Sequence, residues 1–187
     1  MATTADFRNG MVLNMDGTLF TILFFQHHKP GKGNTVVRTK LRNVLTGAVL
    51  EKTFRAGEKI DEVRLEHRPI QYSYHDGQLY YFMDQQTFEM IPLSEDVIGE
   101  DQLRYLKENM ECTGLVHNDK VINVELPYFV ELEIVETDPG LRGDTAQGGT
   151  KPAKLETGAV VQVPLFLEEG EVIRVDRRED KYLERVK

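Results

Sequence analysis

Leu19-Phe-Thr-Ile-Leu-Phe-Phe-Gln-His-His-Lys-Pro-Gly-Lys-Gly-Asn-Thr-Val-Val-Arg-Thr-Lys-Leu-Arg-Asn43 reads as two long strands around one short turn. Aromatic and β-branched residues fill both flanks, as pleated, half-buried surface requires. Lys29-Pro-Gly-Lys-Gly33 supplies turn residues between the strand candidates Leu19–His28 and Thr35–Leu45. On the N-terminal side, Asp16-Gly17 separates Met11–Met15 from Leu19, a strong hairpin signal. On the C-terminal side, Thr46-Gly47 precedes Val49–Phe54, and Ala56-Gly57 precedes Ile60–Leu65. Five short strands with tight turns predict a small SH3-like barrel over residues 1–64.

After Leu65 the pattern restarts. Ile70–His75 and Leu79–Asp84 flank Asp76-Gly77, and Thr87–Leu93 is a further strand candidate. Ser94-Glu95-Asp96 can cap a short helix, and Asp101–Asn109 reads as helical. Cys112–His117 and Val121–Glu125 form a hairpin around Asn118-Asp119, and Pro127 marks a boundary. Phe129–Ile134 alternates apolar and acidic residues, followed by strands at Ala153–Glu156, Val160–Val163 and Val172–Asp176. The expected fold class is all-β: three small barrels, an SH3-like domain (1–64) and two OB-type domains (65–127 and 128–187).

The chain has 187 residues, 40% hydrophobic, and a net charge of −8. That composition supports packed cores and excludes a disordered chain. No apolar run approaches the ~20 residues a membrane span needs. The N-terminus lacks a basic segment followed by an apolar one, and Cys112 stands alone, so a cytoplasmic protein is expected. Charge is unevenly distributed. Residues 1–64 hold ten Lys/Arg against six Asp/Glu, residues 65–127 four against twelve, and residues 128–187 nine against thirteen. Gly17–Leu50 contains no acid at all, yet carries Lys29, Lys32, Arg38, Lys40 and Arg42. A basic end on an acidic chain can bind RNA by that end alone.

Lys29–Gly33 is not a phosphate-binding P-loop: it lacks the glycine spacing and the Ser/Thr after the lysine, and it joins two strands. Its spacing fits either a solvated hairpin tip or an anion-contacting one, and the basic residues on the adjoining strands favour contact with RNA phosphate. His27-His28 cannot chelate one ion, because neighbours on a strand face opposite ways. Cys112 reads as a core residue. No nucleophile or zinc motif occurs, so neither enzyme activity, nor a metal, nor a cofactor is expected. Gly143-Asp144-Thr145 lies in a Gly-rich stretch that by itself reads as a surface loop. The C-terminal Arg174, Arg177, Arg178, Lys181, Arg185 and Lys187 alternate with acids, the pattern of a salt-bridged, solvated edge.

Taken together, the chain resembles the bacterial elongation factor P family over essentially its whole length. The resemblance rests on Asp6–Gly10, Lys29–Gly33, the basic strand Val37–Asn43 and Thr46-Gly47. Most specific is a C-terminal signature met at Lys151, Ala153, Gly158, Val161, Val163-Pro164, Leu167 and Gly170. It implies an SH3-like domain of KOW type followed by two OB folds. It also implies a factor that binds the 70S ribosome between the P and E sites, stabilises peptidyl-tRNA and stimulates peptide bond formation at consecutive prolines. Lys32 would then reach toward the peptidyl-transferase centre, and Lys29, Pro30, Gly31, Gly33, Arg38, Lys40 and Arg42 would contact P-site tRNA. Gly143-Asp144-Thr145 would lie near the E-site mRNA codon. Family members often carry a covalent extension on the tip residue, so Lys32 is expected to be modified by a lysine-modifying enzyme. The chain departs from the family pattern at Asn34-Thr35-Val36, where a small residue followed by Ala-Phe is common. It is expected to act as a monomer. The alternative is a stand-alone OB-fold protein binding single-stranded nucleic acid, which would need basic residues among Tyr72, Tyr74, Tyr80, Tyr81 and Phe82, where none occur.

Overall fold

The structure is a computed structural model that describes residues 1–140 and 148–187. Its strands are β1 (Ala2–Thr3), β2 (Val12–Met15), β3 (Thr18–His28), β4 (Val36–Asn43), β5 (Val49–Arg55), β6 (Lys59–Val63), β7 (Glu66–His75), β8 (Tyr80–Asp84) and β9 (Met90–Leu93). Two single-turn helices follow, α1 (Glu95–Ile98) and α2 (Glu100–Leu103). Then come β10 (Glu111–His117), β11 (Lys120–Glu125), β12 (Phe129–Thr137), β13 (Thr150–Leu155), β14 (Val160–Pro164), β15 (Val172–Asp176) and β16 (Lys181–Arg185). The all-β expectation holds. The chain divides into two compact units, Met1–Arg68 with Gly114–Asn123, and Pro69–Thr113 with Val124–Lys187.

In the first unit the strand order is β1-β6-β2-β3-β4-β5. The β2–β3 hairpin turns at Asp16 (φ 51°) and Gly17 (φ 84°), a two-residue loop with positive φ that matches the twist of its strands. Phe7, Met11, Leu13, Phe20, Ile22, Val37, Leu41 and Phe54 form the core, with Phe7 edge-on to Phe54 at 5.3 Å. β4 alternates cleanly: Val37, Thr39 and Leu41 are buried, whereas Arg38, Lys40 and Arg42 are exposed. β3 does not alternate throughout. Its register against β4 slips between Ile22 and Phe24, so Ile22 is fully buried while Phe24 turns outward, 54% exposed.

Residues 66–125 supply a five-stranded sheet in the order β11-β10-β7-β8-β9. The expected helix over Asp101–Asn109 is shorter than predicted. Helical structure stops at Leu103 and is broken before it by Gly99 at φ 89°, while Asn109 takes φ 65° and leads into β10. Tyr105 and Leu106, which fit the helical period, are instead buried in the turn that follows. In the second unit β12-β13-β14-β16-β15 close a barrel. Its interior is filled by alternate residues, including Leu132, Ile134, Ala153, Leu155, Val163, Ile173 and Val175, all fully buried. β16, read above as a solvated edge, is a strand that pairs antiparallel with β15 and parallel with β14 at Gln162 and Lys181.

Candidate functional site: a basic sheet face and its tip

β3 and β4 form a long antiparallel ribbon whose last pair is His28 with Val36. The tip between them, Lys29–Thr35, therefore projects beyond the ladder. Lys29, Gly31, Lys32 and Gly33 are exposed and Pro30 is half-buried. Gly33 holds φ 127°, a backbone that side chains disfavour, and a Cβ there would sit 3.6 Å from the Pro30 ring. The base of the tip is fixed from just beyond β5, where the Ala56 N–H donates to the Thr35 carbonyl at 3.0 Å. Lys32 thus stands at the end of an anchored support.

The register places the basic residues of β4 in one row on the outer face. Arg38 lies between Gln26 and Thr53, Lys40 between Phe24 and Glu51, and Arg42 between Thr21 and Val49. Arg55 faces the same way opposite Val36, beyond the residues that the sequence singled out. Phe24, paired with Lys40, shares this face, although strict alternation with Phe20 and Ile22 would bury it. Among the described residues, no carboxylate lies within ion-pair distance of Lys29, Lys32, Arg38, Lys40, Arg42 or Arg55. Lys40 and Glu51 are cross-strand neighbours and still do not pair.

The four C-terminal arginines behave oppositely, whereas Lys181 and Lys187 have no carboxylate within ion-pair distance among the described residues. Arg174 bridges Glu131 and Glu184, Arg178 meets Asp176 at 2.7 Å, and Arg185 meets Glu171 at 2.9 Å. Arg177 spends its guanidinium on the Leu126 and Pro127 carbonyls, at 2.7 and 2.8 Å. Neutralised charge of this kind attracts distant phosphate weakly, whereas the row on β4 is available. Among the described residues, the structure therefore sets the four C-terminal arginines apart as engaged in internal contacts and leaves the row on β4 available to meet an anion.

Gly143, Asp144 and Thr145 lie outside the described residues. The stretches on either side of them are held together. The Lys151 ammonium, buried at 5% exposure, donates to the Asp138 carbonyl at 2.5 Å. At Gly140 any Cβ would fall 2.4 Å from the Leu165 carbonyl oxygen, so the backbone there tolerates only glycine. Neither feature was legible from residue type, since lysine is normally exposed.

Among the described residues no cluster of three His, Cys, Asp or Glu could hold a metal ion. Burial pushes the Cys112 thiol up to about 12, far from a thiolate nucleophile at neutral pH. Among the described residues no helix is long and apolar enough to cross a membrane.

Three family models match the chain: "Elongation factor P (EF-P) KOW-like domain" over residues 3–60, "Elongation factor P (EF-P) OB domain" over 65–124, and "Elongation factor P, C-terminal" over 130–185. The chain is similar to Elongation factor P of Thermoanaerobacter sp. (strain X514), 56% identical over 186 residues with both chains fully covered. It is 54% identical over 185 residues to Elongation factor P of Moorella thermoacetica, covering 99% of this chain and 100% of that one. Among solved structures, an initiation factor eif-5a family protein from Naegleria fowleri superposes with a TM-score of 0.53 at 11% identity, covering 67% of this chain and 96% of that one. Eukaryotic translation initiation factor 5A from Methanococcus jannaschii gives 0.50 at 20% identity, covering 67% and 92%. At those identities the likeness is one of fold.

Proposed function

The chain belongs to the elongation factor P family, a family of translation elongation factors, and on that premise we propose how its geometry serves translation. The factor binds the ribosome between the P and E sites and holds the acceptor end of a stalled peptidyl-tRNA through its basic sheet face. Proline fixes φ and restricts the attack geometry of a nascent chain. A factor that orients the acceptor end contributes mainly by reducing the entropy of alignment, with no general base of its own. In this reading Arg38, Lys40 and Arg42 contact tRNA phosphates, Lys29 and the Pro30–Gly33 backbone follow the acceptor end, and Lys32 reaches toward the peptidyl-transferase centre.

The observation that carries the reading is the row of cations on β4, exposed and without an acidic partner among the described residues, leading to an anchored, projecting lysine. The same exposure gives a modifying enzyme access to the Lys32 ammonium, and an extension there lengthens the reach of the tip. Gly143-Asp144-Thr145 is assigned to the E-site codon by family resemblance. The test is translation of a message with consecutive proline codons. Wild-type protein should relieve the stall, and Lys32→Ala should bind ribosomes yet fail to relieve it. Full relief by Lys32→Ala would overturn the role given to the tip.

A further inference from the structure

Between Pro69 and Leu103 the chain carries seven Asp/Glu and no Lys or Arg. This is the charge inverse of Gly17–Leu50, and it contains three adjacent strands. The registers set Tyr74 opposite Tyr81 and Tyr81 opposite Pro92. One row along, Gln71 lies opposite Met83 and Met83 opposite Met90. These six residues form the face turned away from the buried Ile70, Phe82 and Leu93. Tyr74 and Tyr81 stack with ring centroids 4.5 Å apart and planes 11° from parallel. Tyr74 is 49% and Met90 44% exposed, so the stack and its apolar surround reach solvent.

A carboxylate is fixed at one end of the stack. The Tyr81 hydroxyl donates to Asp76 Oδ2 at 2.9 Å, while Asp76 Oδ1 accepts the N–H groups of Gln78 and Leu79 at 2.9 and 2.8 Å. We propose that this face docks an arginine-bearing segment of a basic protein. A guanidinium can lie flat on an exposed tyrosine face, bond to an adjacent carboxylate and leave its methylenes on Met83, Met90 and Pro92. Asp76 at the stack and the exposed Glu89 beside Met90 attract such a partner, and this stretch contains no Lys or Arg to compete for them. The same charge argues against RNA. Tyrosines can stack on bases, but phosphates need positive charge beside the platform, and this stretch supplies none. The assignment goes beyond the tRNA-facing role proposed for the N-terminal face and does not depend on it.

The full-length protein, with its tyrosine rings observed by NMR, is titrated at low salt with hexa-arginine, hexa-lysine and a hexa-uridine RNA. Hexa-arginine should shift the Tyr74 and Tyr81 rings and bind about threefold more tightly than hexa-lysine. Tyr74→Ala should weaken hexa-arginine binding about three- to fivefold, the usual scale of a partly exposed cation–π contact. Asp76→Asn keeps an oxygen for the Gln78 and Leu79 N–H groups, so it preserves the turn and should still weaken binding. Lys154→Gln, at an exposed position of β13 that has no part in either site, should leave hexa-arginine binding unchanged. Unshifted rings, equal binding by both peptides and both Asp76 and Tyr74 variants, or shifts by the RNA alone would each overturn the proposal.

Discussion

Neutralising the row on β4 should change how ribosome binding responds to salt, by an amount that follows from the geometry. Arg38, Lys40 and Arg42 are spaced two residues apart on one exposed face and have no acidic partner among the described residues. Each phosphate contact releases roughly 0.7–0.9 of a counterion, so three contacts contribute about 2–3 to the slope of log affinity against log salt. Between ~50 and ~200 mM salt those three contacts alone account for a loss of roughly 30-fold, and one of them for about threefold. The perturbation is the triple variant Arg38→Gln, Lys40→Gln, Arg42→Gln, with each single change beside it. The assay is equilibrium binding of labelled protein to ribosomes across a salt series. The triple variant should bind more weakly at low salt, and its slope should be shallower by about 2–3. Its melting temperature should stay near that of the wild type, because among the described residues the removed groups hold no side-chain hydrogen bond or ion pair. Arg174→Gln is the contrasting control: that guanidinium is already engaged by Glu131 and Glu184, so the slope should not move. A triple variant with the wild-type slope would refute the phosphate-contact reasoning, whatever happened to its affinity.

Intact mass and peptide mapping of protein purified from its natural host should find an added group on Lys32, and an unmodified side chain throughout would remove that expectation. Tyr105→Phe deletes the 2.5 Å bond from a fully buried hydroxyl to Asp180, a charged acceptor also held by Arg104. It should cost about 1.5–3 kcal/mol and lower the melting temperature by several degrees, read by calorimetry. Lys151→Met removes the bond to the carbonyl of the exposed Asp138 and should destabilise the protein by about 0.5–1.5 kcal/mol in denaturant unfolding. Because burial raises the Cys112 thiol from 9.0 to about 12, the folded thiol should resist alkylation at mildly alkaline pH. The unfolded chain loses that proton first, so this contribution to stability is complete below about pH 9 and declines between 9 and 12; Cys112→Ala should make the alkaline loss of stability shallower, leaving the part due to the raised Tyr72, Tyr81 and Tyr105 hydroxyls.

Much of the fold and the site was legible because its signals are local. Asp16-Gly17, Asp76-Gly77 and Asn118-Asp119 mark turns by backbone preference alone, and the last pair takes φ 50° and 60° in the structure. The alternation of Val37, Thr39 and Leu41 with Arg38, Lys40 and Arg42 reveals both the buried face and the basic row from a period of two. The acid-free stretch around Lys32 needs no coordinates to be seen, and the C-terminal signature points to the family.

Other features depend on pairing between distant segments. Strict alternation would align Phe24 with Ile22 and Phe20, but the bulge in β3 turns Phe24 toward solvent and Phe25 toward the core. Lys181–Arg185 is mostly polar and has no alternating pattern, yet it becomes a strand because β14 and β15 offer it backbone partners. Paired and unpaired arginines look identical in sequence, and only the fold brings Arg174 to its two glutamates while leaving Arg38 without a carboxylate among the described residues. By itself, then, the sequence determined the turns, the strand periods, the basic tip and the family. The tertiary structure decided which way Phe24 points, where the barrel closes and which cations are free. Backbone preference is set by a residue and its neighbours, whereas register, burial and ion pairing are set by whichever remote segment supplies the partner.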